Sequence, residues 1–189
     1  EPGMACERGF LPDDAGTGPL REQALSYERL RALGEFPVVA LSVAYELEIA
    51  GLVQLLDGAL IPALREERAE HHPIIVAGGP LTFSNPLPLA AFADIIIMGE
   101  VDTLAIDVLR SLREHEHKVA ALEAVARLDH VFVPAIHGEQ MPPIAQCDDA
   151  LLPAWASIQT PDTELSNMFL IETERGCSRG CTYCVMRRS

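Results

Sequence analysis

Apolar residues in this chain fall into short unbroken runs, separated by polar stretches that carry proline or glycine. Val38-Val39-Ala40-Leu41-Ser42-Val43, after Pro37, is one such run and reads as a strand buried on both faces. Ile74-Ile75-Val76-Ala77, ending at Gly78-Gly79-Pro80, and Asp94-Ile95-Ile96-Ile97-Met98, ending at Gly99-Glu100, repeat the pattern. Between the runs the period changes. Residues 20–33 place Leu20, Ala24, Leu25, Leu30 and Leu33 at mostly helical spacing. Residues 48–69 predict a long helix, apolar in its first half and charged in its second (Arg65-Glu66-Glu67-Arg68), broken or kinked at Pro62. Further helices are predicted over roughly 103–115 and 118–128, then an edge strand at Val131-Phe132-Val133. Strand–helix–strand–helix order implies an α/β fold, a parallel sheet flanked by helices on both faces. Residues 1–19 read as loop. Residues 138–167, with Pro142, Pro143, Pro153 and Pro161 and little periodicity, read as a linker. A last strand, Met168 to Thr173, leads into a cysteine-rich end.

Composition narrows the class. Of 189 residues, 49% are hydrophobic and 22% charged, which excludes a disordered chain. Lys and Arg total 14 against 28 Asp and Glu, a formal charge of −14. A general nucleic-acid binder needs a basic face, so that class is excluded. No run approaches the ~20 apolar residues of a membrane helix. The first residues, Glu1-Pro2-Gly3-Met4, lack the basic and apolar regions of a signal peptide, and a soluble cytoplasmic protein is expected.

Three of the five cysteines crowd into Glu174-Arg175-Gly176-Cys177-Ser178-Arg179-Gly180-Cys181-Thr182-Tyr183-Cys184. That is metal or redox usage rather than a disulfide framework. The spacing is C-x3-C-x2-C. Iron–sulfur clusters are held by cysteine thiolates. Three thiolates on a four-iron cluster leave one iron without a protein ligand, open to a small molecule. Gly176 and Gly180 let the backbone wrap close, and Arg175, Arg179, Arg187 and Arg188 put positive charge beside an anionic group. Two other readings compete. Zinc wants four ligands, usually in two pairs, and Cys6 and Cys147 are far away in sequence. Cys181-Thr182-Tyr183-Cys184 alone resembles a redox dithiol, which leaves Cys177 and the glycines unexplained.

The cysteine motif resembles that of the radical S-adenosylmethionine (SAM) superfamily. The resemblance implies a [4Fe-4S] cluster on Cys177, Cys181 and Cys184. It further implies that S-adenosylmethionine chelates the open iron and is cleaved to a 5′-deoxyadenosyl radical. Tyr183 matches an aromatic position beside the adenine, the alternative being simple packing under the cluster. An electron donor such as flavodoxin or ferredoxin and a small-molecule substrate of unknown identity are implied as partners.

Upstream, Ala77-Gly78-Gly79-Pro80-Leu81-Thr82-Phe83-Ser84-Asn85-Pro86 and Ala93 to Glu100 resemble the cobalamin (B12)-binding-like domain that precedes many radical SAM enzymes. Cys6-Glu7-Arg8, Phe10-Leu11-Pro12 and Ser42 to Glu46 resemble an uncharacterised subfamily in that group. The resemblance implies a flavodoxin-like (Rossmann-type) domain over 1–137, a linker over 138–167, and over 168–189 the first strand and cluster loop of a truncated β/α barrel. Parallel sheets bind ligands outside the C-terminal strand ends. Gly78, Gly79, Gly99 and Glu100 are therefore the candidate cofactor-binding residues, with tight strand-to-helix turns as the equal alternative for the glycines. Glu46 and Glu48 face the same cleft or serve as helix-start carboxylates. Three departures qualify the resemblance. A first strand expected before Cys6 is absent. The Gly-Glu-Gly-Glu signature reads Gly99-Glu100-Val101-Asp102. Most of the barrel is missing. The chain is expected to be a fragment cut at both ends, inactive alone, from an enzyme that generates the radical or transfers methyl groups through cobalamin. No Asp-x-His-x-x-Gly motif supplies a cobalt ligand, so cobalamin, if bound, lacks a histidine. The rival classes are a non-catalytic cofactor-binding or interaction module and a zinc or redox thiol protein.

Overall fold

The computed structural model describes residues 2–11 and 24–184. Leu20, Arg187 and Arg188 lie outside the described residues. The chain divides into two compact units, Glu1–Ala145 and Gln146–Ser189.

The first unit is built on four strands in the order β1-β2-β3-β4: β1 Val38–Ser42, β2 Ile74–Gly78, β3 Ile95–Ile97 and β4 Val131–Phe132. The first three are parallel, with Val38 opposite Ile74 and Val76 opposite Ile95. The apolar runs thus form the centre of an α/β sheet compatible with a flavodoxin-like fold. The fourth strand corrects the all-parallel expectation: Ile96 lies antiparallel to Phe132.

Because side chains alternate along a strand, the sheet has two cores. On one face Val39, Ile75, Ala77 and Ile96 pack with Leu52 and Leu56 of α1 (Glu48–Gly58). On the other Val76, Ile95 and Ile97 pack with Val108 and Leu112 of α2 (Leu104–Arg113) and Ala121 and Val125 of α3 (Lys118–Val125). A short α4 (Pro134–His137) follows β4. No helix among the described residues is long and apolar enough to cross a membrane.

Two helix expectations fail for local reasons. Residues 24–33 form a hairpin instead of a helix, with Leu25 bridged antiparallel to Ala32 and Leu30 at a φ of 55°. Polar groups dictate it. Ser26 donates to the buried carboxylate of Glu7 at 2.7 Å, and Arg8 Nε donates to Glu28 at 2.7 Å. That hydrogen bond holds the Glu28 carboxyl below its ordinary pKa. The long helix over 48–69 ends at Gly58, ahead of Pro62. Leu60 is left-handed at a φ of 58°, Leu60 N–H donates to Asp57 O, and Ile61 N–H to Leu56 O. This is a Schellman closure with leucine in the place glycine usually holds. Arg65–Glu67 makes a separate 3₁₀ turn.

At the N-terminal ends of β2 and β3 sits a buried charge cluster. Asp94, 3% exposed, accepts from Ile75 N–H at 2.8 Å and lies 3.4 Å from Arg68 Nη2 and 3.3 Å from Lys118 Nζ. Arg68 also donates to the carbonyls of Pro62, Ala63 and Phe92. Burial lowers the pKa of Arg68, and Asp94 opposes that shift.

In the second unit β5 (Ala154–Trp155) lies within the predicted linker and pairs antiparallel with β6 (Ile171–Glu172). Residues 138–145 belong to the first unit, and the predicted strand over 168–173 keeps only the two residues of β6.

Replacing Asp94 with Ala should destabilise the first unit by about 3–5 kcal/mol, because two buried cations lose their counter-charge. Asp107→Ala, which breaks only an exposed pair with Arg110, should cost under about 1 kcal/mol. Urea unfolding followed by circular dichroism tests the contrast, and equal costs would refute it.

Candidate functional site

The first candidate site is the rim formed by the C-terminal ends of β1, β2 and β3. Gly78 ends β2, and its carbonyl accepts from Val43 N–H at 2.8 Å. The chain then turns through Gly79, at a φ of 99°. A Cβ there would lie 2.8 Å from Ser42 Oγ and from Val43 N and O, so the missing side chain is what lets the turn seat against the end of β1. Gly99 follows β3 at a φ of 87°, and a Cβ there would collide with Ile144 Cγ2 and Ala145 O. Ala145 lies alongside as a parallel bridge: its N–H donates to Met98 O at 2.8 Å, and its carbonyl accepts from Glu100 N–H at 3.1 Å. At Gly78 there is room, since a Cβ would meet only Ile97 O at 3.7 Å.

Thr82 joins the two turns. Its hydroxyl, buried, donates to Gly79 O at 2.7 Å and accepts from Gly99 N–H at 3.0 Å. From the sequence the loop Leu81 to Asn85 offered hydroxyls for an anionic ligand tail; the Thr82 hydroxyl is instead bonded within the fold, a bridging role whose only signal was a hydroxyl three residues after a strand-end glycine. Glu48 accepts from Ala44 N–H at 2.6 Å, a helix-start role, whereas Glu46 is exposed. Gly78, Gly79, Gly99 and Glu100 are thus gathered on one rim, where the chain's own backbone fills the space beside Gly79 and Gly99.

The second candidate site lies wholly in the second unit. Cys177, Cys181 and Cys184 are half-buried thiols, and none of the five cysteines is in a disulfide. Gly176 turns the chain into the loop at a φ of 77°. Arg179 N–H lies 3.5 Å from Cys177 Sγ as a donor, and Cys184 N–H 3.5 Å from Cys181 O. A Cβ on Gly180 would meet nothing within 4 Å. Tyr183 is 90% exposed. Among the described residues no three His, Cys, Asp or Glu side chains converge on a single metal ion. Iron–sulfur clusters are held by cysteine thiolates, and these three thiols stand as separate groups on one loop. Arg175, read from the sequence as positive charge beside an anionic group, makes a two-pronged bond to Glu172, Nε to Oε1 at 2.8 Å and Nη2 to Oε2 at 2.9 Å. Cys6 lies in the first unit and Cys147 in the second, away from the motif in sequence.

Residues 1–134 match the family described as radical SAM proteins, N-terminal. The chain belongs to that family. Over 165 residues, 86% of its length, this radical SAM N-terminal region is also 27% identical to an uncharacterized protein of Methanocaldococcus jannaschii, MJ0966, and covers 32% of that protein. The chain thus spans about a third of the length of the curated relative it matches. No solved structure matches.

Strain and space together separate the rim glycines. Gly99→Ala should lower stability by roughly 1–3 kcal/mol through its left-handed backbone and the clash with Ala145. Gly78→Ala should change it by less than about 0.5 kcal/mol. Denaturation midpoints of the two variants test this, and equal losses would count against the assignment.

Proposed function

We propose that this chain is the N-terminal part of a radical SAM enzyme in which Cys177, Cys181 and Cys184 hold a [4Fe-4S] cluster and the remaining iron takes S-adenosylmethionine. The observation that carries the reading is the family match together with three free thiols at C-x3-C-x2-C on one loop. When bound, the cluster supplies the electron that cleaves the sulfonium to the 5′-deoxyadenosyl radical. The protein supplies ligation and placement. Gly176 directs the chain into the loop, the Arg179 amide faces Cys177 Sγ, and Tyr183 stands free to lie against the adenine.

The relative of threefold length supports a further reading: the barrel strands that bind the rest of S-adenosylmethionine lie in a longer protein. The second unit leaves Trp155, Phe169, Ile171 and Tyr183 largely exposed, a surface suited to cover by such strands. This chain alone then does not cleave S-adenosylmethionine at a useful rate. The rim of the first unit is the cobalamin-binding-like position, but we propose weak or no cobalamin binding in this chain. Backbone fills the space at Gly79 and Gly99, Val101 stands where the signature has glycine, and no Asp-x-His-x-x-Gly motif is present.

Anaerobic reconstitution with iron and sulfide should give about four irons per chain and an iron-dependent visible absorbance. Cys177→Ala, Cys181→Ala and Cys184→Ala should each abolish it, and Cys6→Ala and Cys147→Ala should not. Stoichiometric zinc with no iron uptake would favour the thiol-protein rival and overturn the reading. No 5′-deoxyadenosine should form with dithionite, and its appearance would show the chain sufficient by itself. Hydroxocobalamin should not co-elute in gel filtration; one equivalent retained, and lost on Gly78→Trp, would restore the rim as a cobalamin site.

A further inference from the structure

The turn after β3 is held by two different kinds of contact. Gly99 N–H donates to the buried Thr82 hydroxyl at 3.0 Å. The flanking groups are held by Pro143-Ile144-Ala145 instead. Ala145 N–H donates to Met98 O at 2.8 Å, and Glu100 N–H donates to Ala145 O at 3.1 Å. His130 Nδ1–H hooks the same segment at Pro143 O, 2.8 Å away. These bonds keep the segment at the rim where a parallel sheet takes its ligands. The segment is otherwise exposed: of residues 138–145 only Ala145 is buried, and it belongs to neither core of the sheet. Gly79 differs, since the space beside it is filled by Val43, which is part of the first core. Segments with few buried apolar contacts open at low free energy.

We propose that Pro143, Ile144 and Ala145 form an autoinhibitory strap: they occupy the rim at Gly99, and a cofactor lies there only after they leave. The inference rests on the reading of the rim above, in which this chain binds cobalamin weakly or not at all. Ala145 presents its carbonyl to Glu100 N–H and its N–H to Met98 O. A carboxamide carries the same acceptor and donor. The ligand class that replaces the strap is therefore a small molecule with amide arms, and hydroxocobalamin, which carries such arms, is the probe. Binding competes with closure of the strap. Apparent affinity is the intrinsic affinity reduced by the fraction of molecules in which the strap is open. Gly78, with room beside it, lies on the same rim.

His130→Gly removes the hook and suits the φ of 64° at that position. The Ala145 amide should then exchange with deuterium roughly fivefold to tenfold faster, the weight of one hydrogen bond. The Gly99 amide, held by Thr82, should change by less than about twofold. Hydroxocobalamin binding, read by equilibrium dialysis, should tighten by the factor seen at Ala145. Ala145→Pro, which has no N–H for Met98 O, should also bind more tightly than wild type. Adding Gly78→Trp to either variant should abolish the gain. Ala145 and Gly99 amides quickening together would mean that the whole turn opens, and would overturn the strap. Faster exchange at Ala145 with no gain in binding by either variant would overturn it too, while the reading of weak cobalamin binding stood. One equivalent retained by the wild-type chain, as tightly as by the variants, would overturn both. If Ala145→Pro fails to fold, His130→Gly decides alone.

Discussion

Asp94 is enclosed at the edge of an apolar sheet, and a carboxylate so placed must be surrounded by donors or it cannot remain charged. Its partners come from three separated stretches: the Ile75 amide at the start of β2, Arg68 from the connection after α1, and Lys118 from the first turn of α3. Arg68 in turn holds the carbonyls of Pro62, Ala63 and Phe92. One buried charge thereby fixes where β2 and β3 begin and where the helices on either face return to the sheet. The parallel register follows, and with it the alternation that sends Ile75 and Ile96 to one core and Val76 and Ile95 to the other. With the N-terminal strand ends committed to structure, the opposite ends carry the glycine turns.

The strands were legible because each is a fully buried apolar run, which needs no knowledge of its partners. The helices were less so. Spacing over 20–33 suited a helix, but Ser26 and Glu28 answer to Glu7 and Arg8, roughly twenty residues earlier, and no local period encodes such pairing. The end of α1 was misplaced because Leu60 adopts a conformation usually left to glycine, so the stop carried no glycine to mark it. The direction of β4 was likewise invisible, since a two-residue strand takes its sense from the connection before it rather than from its own residues.

The candidate sites divide in the same way. Cysteine spacing is a covalent property of the sequence and could be read directly. Thr82, Asp94 and the Glu172–Arg175 pair depend on which polar groups meet in space, and the apolar pattern that located the strands says nothing about them. The glycines lay between these cases. Sequence placed Gly78, Gly79 and Gly99 at strand ends, but only the geometry showed that Gly79 and Gly99 admit neighbouring backbone whereas Gly78 leaves room.

Ala145 brackets Gly99 through its hydrogen bonds to Met98 and Glu100, and it is the last residue of the first unit. The covalent tether to the second unit is therefore anchored on the turn after β3, one residue from where it leaves. Any rearrangement of that turn, whether by an inserted residue or by a molecule lodging there, displaces Ala145 from its two hydrogen bonds. The absent side chain of Gly99 thus works as a socket: it lets Ile144 and Ala145 dock flush against the end of β3, and it makes that docking sensitive to whatever else presses on the same spot.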